Sequence, residues 1–312
     1  MTTLITGAAG NLGALLAAHL LTHSDVPLRL MVHQKDVLST LKVDGRTEVV
    51  KADLAQPNTL RNAVDGVDTI VHFAGVLFKA NPETFLPTTN VKYFQNLVDV
   101  AKECGVKKII LISFPHVEGP TSFDHPARGT LDGHPISVHA QTRLAEEKYL
   151  LSQMPSSIVL RVGMVYGKGV LMVDAAHWFA KHHMLGVWRQ PTQIHLISKI
   201  DFCRAVAAAI SKPNIHGIYH LGDEGKITLQ EFLSIACQQW GVRPPWKMPL
   251  GLIYMAANFF ELFSKCFNTR APLTKDFIDI GRVSYYGDTT RMRAELLPTL
   301  EYPTIIEGRA TL

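Results

Sequence analysis

Three glycines near the N-terminus, Gly7, Gly10 and Gly13 in LITGAAGNLG, stand between a short apolar run and a helix-forming segment. Glycines so placed can seat a pyrophosphate. The first permits a tight turn, the second lets backbone approach the phosphates, and the third lets the helix pack close to the strand. The free N–H groups at the helix start then face the anion, with a partial positive charge behind them. Gly7, Ala9, Gly10, Asn11, Leu12 and Gly13 are the expected loop contacts. A dinucleotide held there reaches the end of the second strand, where a carboxylate on the ribose 2′-hydroxyl marks an NAD site. That strand ends LMVHQKD, so His33 and Gln34 occupy the place, Lys35 follows, and Asp36 falls later. A missing carboxylate beside cationic groups favours a 2′-phosphate. The expected cofactor is therefore NADP(H) over NAD(H), with His33 and Lys35 as its contacts.

The elements that must position these residues alternate. TTLITG, LRLMVH, TEVVKADL, DTIVHFAG, KKIILISF and SSIVLRVGMVYG read as strands, with helices at NTLRNAVDG, NVKYFQNLVDVAKECG and HAQTRLAEEKYLLSQM. Near-continuous Val, Ile and Leu in the strands argue a parallel sheet covered on both faces. The fold class is α/β, a Rossmann doubly wound sheet with a smaller C-terminal α/β part. Beyond about residue 168 the rhythm weakens. Helices are expected at VDAAHWFAKHHM, DFCRAVAAAI and TLQEFLSIACQQWG, the last opened by a Thr228 cap with Glu231 three residues on. Residues 1–167 are expected to bind the nucleotide. Residues 168–312 are expected to form a substrate region interleaved with the first part rather than folding alone.

Composition narrows the partners. Of 312 residues, 47% are hydrophobic, enough for a sizeable core, and the net charge of +4 is spread without a basic run. Nucleic acid is therefore not an expected partner. Cys104, Cys203, Cys237 and Cys266 stand far apart, which fits a reducing compartment and speaks against a metal or dithiol site. The apolar start lacks a basic leader, so a cytoplasmic location is expected. The apolar stretch 248–267 carries Asn258, Glu261 and Lys265, each expensive in lipid, at helical spacing. It reads as a core-packed amphipathic helix, with weak contact to a membrane surface as the alternative.

The Gly-x-x-Gly-x-x-Gly loop resembles the fingerprint of the short-chain dehydrogenase/reductase superfamily, in its extended and atypical branches. The likeness continues at VKADL, VHFAG, Asn90 and Val91, LRVGMVYG, YHLGD and PTLEYPTIIEG, with Gly163 where a proline is usual. The resemblance implies that Asp53 and Leu54 contact adenine, and that Ala74 and Gly75 lie beside the cofactor ribose. It also implies a Tyr-x-x-x-Lys pair for proton transfer and a nearby serine. This chain has His139 and Arg143 in that spacing, and the serine position falls at Phe114, one residue after Ser113.

Two readings of that substitution stand. In one, His139 is the acid/base, Arg143 keeps the positive charge beside the cofactor ribose, and Ser113 supplies the hydroxyl. In the other, His139 is a partly exposed helix residue and Arg143 a surface cation. His116, His125 and His134 lie in the preceding loop, but no rigid spacing makes them a metal site. The implied activities are an NAD(P)(H)-dependent oxidoreductase on a small, hydrophobic alcohol or ketone, an NmrA-like cofactor-binding sensor without chemistry, or a nucleotide-sugar epimerase or dehydratase. For the last, Arg270 and Arg282 are the candidate phosphate contacts. A homodimer, built through two helices on the sheet's flank, is left open by the same resemblance.

Overall fold

A computed structural model of the chain describes residues 1–37, 41, 43–75, 81–267 and 273–312, the side chains of 265–267 excepted. In chain order the first half runs β1 (Thr3–Thr6), α1 (Asn11–His23), β2 (Leu28–Val32), β3 (Thr47–Lys51), α2 (Pro57–Val64), β4 (Thr69–His72), α3 (Tyr93–Glu103), β5 (Lys108–Ser113), α4 (Val138–Gln153) and β6 (Ile158–Val162). The second half runs β7 (Met164–Tyr166), α5 (Leu171–Lys181), β8 (Gly186–Trp188), β9 (Gln193–Ile194), β10 (Leu196–Ser198), α6 (Lys199–Ser211), β11 (Gly217–Leu221), β12 (Ile227–Thr228), α7 (Leu229–Gln239), β13 (Trp246–Met248), α8 (Leu250–Phe267), α9 (Lys275–Gly281) and α10 (Ile305–Gly308).

Seven strands form one parallel sheet in the order β11-β6-β5-β4-β1-β2-β3. Successive strand residues point to opposite faces, and here both directions meet core. Ile5, Val71, Ile110 and Leu160 pack with Leu16 and Ala17 of α1 and Phe202 and Val206 of α6. Their neighbours Leu4, Ile70, Ile109 and Val159 pack with Leu60 of α2, Phe94 and Leu97 of α3, and Leu150 of α4. Two helix layers therefore sandwich the sheet, which is why its strands read as unbroken apolar runs. The strand order reverses at β1, between β2 and β4, and the crevice at such a switch point is where this architecture receives a ligand.

Three features depart from the sequence pattern. The run expected as one strand, SSIVLRVGMVYG, breaks at Gly163 into β6 and β7. A Cβ on Gly163 would overlap the His195 carbonyl oxygen, and the Gly163 and Met164 N–H groups donate to the carbonyls of Leu221 (2.8 Å) and His195 (2.7 Å). The chain can therefore pass to β10 without losing backbone hydrogen bonds. Strand β11 lies beyond residue 167 yet completes the main sheet, so the nucleotide-binding sheet draws on both halves of the chain. Helix α8 forms where expected, but among its described residues only Ile253 and Ala257 are buried, packed with Ile278 of α9. Leu252, Met255, Phe259, Leu262 and Phe263 are exposed along it. Among the described residues, no helix is long and apolar enough to cross a membrane. Arg270 lies outside the described residues.

Candidate functional site

The nucleotide side is made largely of backbone. Gly7 leaves β1 with φ +71°, a conformation that suits glycine, and its carbonyl accepts the Gly10 N–H at 2.8 Å. A Cβ on Gly13 would stand 2.5 Å from that carbonyl oxygen, and one on Gly7 would stand 3.0 Å from the Ala74 nitrogen. Helix α1 starts at Asn11 with no side-chain cap and no acid in its first turn. Its leading N–H groups thus keep their capacity for an anion. This cradle, which side chains would fill, fits a dinucleotide pyrophosphate. Ala9 and Leu12 line it half-buried. The Asn11 side chain is engaged elsewhere: it donates to the Gly169 carbonyl (2.7 Å) and accepts from the Leu171 N–H (2.9 Å). Asn11 can therefore meet a phosphate through its backbone, while its amide ties the loop to the start of α5.

At the far end of the cleft, His33 follows β2 and Asp53 follows β3. Parallel pairing of these strands brings the His33 Nε2 to 3.5 Å from Asp53 Oδ2. The other oxygen of Asp53 accepts the Ala55 N–H at 2.9 Å, closing the turn into α2. The Leu54 carbonyl accepts from Asn96 of α3 at 2.9 Å. Lys35 is exposed, with no ion pair among the described residues. An acid is thus present at this end after all, supplied by the third strand rather than the second.

The side that carries His139 and Arg143 is made of side chains. Ser137 caps α4 by accepting the Ala140 N–H, and one helical turn sets His139 and Arg143 on the same face. His139 is only 7% exposed, and the Arg143 side chain is mostly buried. This overturns the reading of a partly exposed histidine beside a surface cation. The Arg143 Nη1 pairs with Glu146 Oε2 at 2.6 Å, and its Nη2 lies 2.5 Å from where a Gly75 Cβ would stand. Arg143 therefore meets the chain leaving β4, next to Ala74. Burial pushes the Glu146 carboxyl above the usual range, although Arg143 pulls the other way. Beneath them His72 exchanges a hydrogen bond with the Thr6 hydroxyl (2.8 Å). Burial, aided by the Arg143 charge, brings the His72 imidazole down to about 3, so it stays neutral. Asn90, in the turn that opens α3, donates to Thr142 at 3.1 Å and anchors α4 to its neighbour.

His139 has a partner that the sequence did not disclose. Its Nε2 stands 3.1 Å from Asp276 Oδ2, a half-buried carboxylate in the first turn of α9. Thr274 caps that helix by accepting the Phe277 N–H. Nothing in the local pattern around Asp276 marks it, because its role comes from the docking of α9 against α4.

Ser113 is not brought to His139 by any hydrogen bond. Its hydroxyl donates to Glu147, which also holds Arg161 at 2.6 Å, and Arg161 pairs in turn with Glu118. Arg161 and Glu147 are fully buried, so this cluster commits the serine to the interior. Phe114 occupies the position where the resemblance implied a hydroxyl. The His116 ring, bonded to the Val283 carbonyl at 3.0 Å, is brought by burial down to about 4. Among the described residues no three His, Cys, Asp or Glu side chains are grouped to hold a metal ion.

Residues 7–156 match the family model described as NAD(P)H-binding. The uronate dehydrogenase of Pseudomonas syringae pv. tomato is 34% identical over 132 residues, 42% of this chain and 44% of that protein. The NAD-dependent glucose-6-phosphate dehydrogenase of Haloferax volcanii is 32% identical over 119 residues, 37% of this chain and 44% of that one. The chain thus matches less than half the length of these relatives. The dTDP-glucose 4,6-dehydratase DesIV of Streptomyces venezuelae, solved with NAD and TYD bound, superposes with a TM-score of 0.79 at 17% identity, covering 100% of this chain and 95% of that one. That last likeness is one of fold.

Proposed function

We propose that this chain, which carries the NAD(P)H-binding domain and the fold of the extended short-chain dehydrogenase/reductase superfamily, is an oxidoreductase in which His139 moves the substrate proton. The observation that carries the reading is the buried His139–Asp276 pair, set on the helix whose Arg143 touches the chain beside Ala74 and Gly75. A bound nicotinamide supplies the hydride acceptor or donor. The Asp276 carboxylate faces His139 Nε2 and favours the tautomer with its proton there, which leaves Nδ1 as the basic nitrogen. That nitrogen has no hydrogen bond among the described residues, so it is free to take a hydroxyl proton as an alcohol is oxidised and to return it in the reverse direction. The Asp276 carboxylate steadies the imidazolium formed in between, as an acid does behind a catalytic histidine. Arg143 supplies a fixed positive charge beside the ribose position.

The cofactor in this reading is NADP(H), bound by His33 and Lys35 at a strand end without its own acid. Asp53 beside His33 opposes a 2′-phosphate, so Lys35 carries the preference. The substrate is a small, hydrophobic alcohol or ketone. A second reading, a cofactor-binding sensor without chemistry, draws on Ser113 being held by Glu147 and on Phe114 in the hydroxyl position.

The test is turnover of NADPH and NADH with a panel of apolar ketones and alcohols and of sugar acids, in wild type and in His139→Phe. An acid–base group contributes about 10²- to 10⁴-fold, so kcat should fall by that factor while cofactor binding persists. Undiminished turnover in His139→Phe removes the histidine from the mechanism. Tight NADPH binding with no turnover across the panel favours the sensor.

A further inference from the structure

We propose that the outer face of α8, together with Trp246 and Met184 beside it, docks in the plane of a membrane surface rich in anionic lipid. A helix on a protein surface normally turns its apolar stripe inward. Helix α8 does so with Leu250, Ile253 and Ala257, and carries a second apolar stripe outward. Leu252, Met255, Phe259, Leu262 and Phe263 recur three and four residues apart and are 47%, 61%, 64%, 63% and 47% exposed. Asn258 shares that exposed face, whereas two other polar groups turn toward α9: Tyr254 bonds Asp279, and Glu261 accepts the Lys275 N–H at 2.7 Å and pairs with its ammonium at 3.8 Å. Exposed apolar residues also occur before the helix. Trp246 of β13 is 63% exposed, and its backbone N–H donates to the carbonyl of Leu185, the residue after the exposed Met184. An apolar face of this kind, edged by tryptophan, marks a docking surface rather than ordinary exposure.

Charge selects the occupant. Arg243 and Lys247 stand close to Trp246 in the chain, both exposed and without ion pairs among the described residues. Between Leu250 and Ser264 the only acid is Glu261, and it faces α9. An apolar helix face with cations at its edge matches anionic headgroups above acyl chains. A second copy fits less well. A parallel two-fold pairing of α8 sets this basic end against itself, cation on cation. Because α8 is not long and apolar enough to span, it would lie in the interface.

The test is co-sedimentation of the full chain with phosphatidylcholine vesicles, with and without phosphatidylserine, at low and high salt. The expected result is pelleting with the anionic vesicles at low salt, lost with neutral vesicles and weakened by salt. Lys247→Glu and Arg243→Glu should each weaken binding by about fivefold or more. Phe259→Ser with Leu262→Ser should abolish it while NADPH binding and the melting temperature hold. No pelleting with anionic vesicles, or unchanged pelleting of the apolar double variant, overturns the proposal. So does a wild-type dimer in sedimentation velocity that the double variant dissociates.

Discussion

At the ends of β1 and β4 the protein offers backbone: the Gly7 carbonyl, the first N–H groups of α1, and a gap that a Cβ on Gly13 would fill. At the start of α4 it offers side chains: His139 on Asp276, and Arg143 on Glu146. The two sites meet where the Arg143 guanidinium lies against Gly75. A backbone site depends on a few residues adjacent in sequence, and it tolerates no added atoms. A side-chain site depends on partners brought in from distant segments, and either partner can be exchanged. That difference is why a loop built on glycines admits little change, while side-chain pairs such as His139–Asp276 and Arg143–Glu146 can be exchanged.

The sharpest way to break the comparison is Gly13→Val. Its side chain must meet the Gly7 carbonyl oxygen from a Cβ already at 2.5 Å. Overpacking of this kind costs ~1–3 kcal/mol, so NADPH binding should weaken by up to about a hundredfold. Titration calorimetry giving wild-type affinity would mean that the loop does not close on Gly13 as described. The complementary change, Asp276→Asn, touches only the side-chain site. It should lower kcat by about tenfold or more and displace the pH profile of kcat. Cofactor affinity should stay at its wild-type value, and an unchanged pH profile would show that Asp276 has no hold on His139.

The smallest effect is on stability, and it spans both regions. His72 and His116 in the first half of the chain, and His195 in the second, are brought by burial to about 3, about 4 and about 4. The unfolded chain protonates these rings near 6.5, whereas the native state does so only lower. Stability is therefore full above 6.5 and is lost as the pH falls toward those values, by at most ~1.4 kcal/mol per pH unit per ring. Asp223, pushed up to about 8 by burial, acts oppositely: it favours the fold increasingly as pH falls from 8 toward 3.8. Glu146, also pushed up by burial, acts in the same sense. Three rings outweigh these two carboxyls, so the melting temperature should drop between pH 6.5 and 5. His72→Gln should flatten that drop. A melting temperature that rises over this interval would put Asp223 ahead of the histidines.

Much of this was legible without coordinates. The glycine spacing, the alternation of strand and helix, the span of α4 and the Thr228 cap of α7 all arise from short-range sterics and periodicity, which neighbouring residues express in full. Other features depended on packing between distant segments. The Asn11 amide looked like a ligand contact, but it belongs to the 169–171 loop. The strand through Gly163 looked continuous until the His195 carbonyl claimed its close approach. The apolar stretch 248–267 looked like core material, since hydrophobicity records that a surface avoids water and not what covers it.

By itself, then, the sequence determined a doubly wound sheet, a glycine turn at Gly7–Gly13 that leads into a helix, and a histidine and an arginine one turn apart on one helix. Only the tertiary structure decided that His139 is buried against Asp276, that Ser113 is held by Glu147, and that α8 turns its apolar face outward. The physical reason is range. Dihedral preference and helical period act over a few residues, whereas burial and charge pairing act between segments that meet only after the chain has folded.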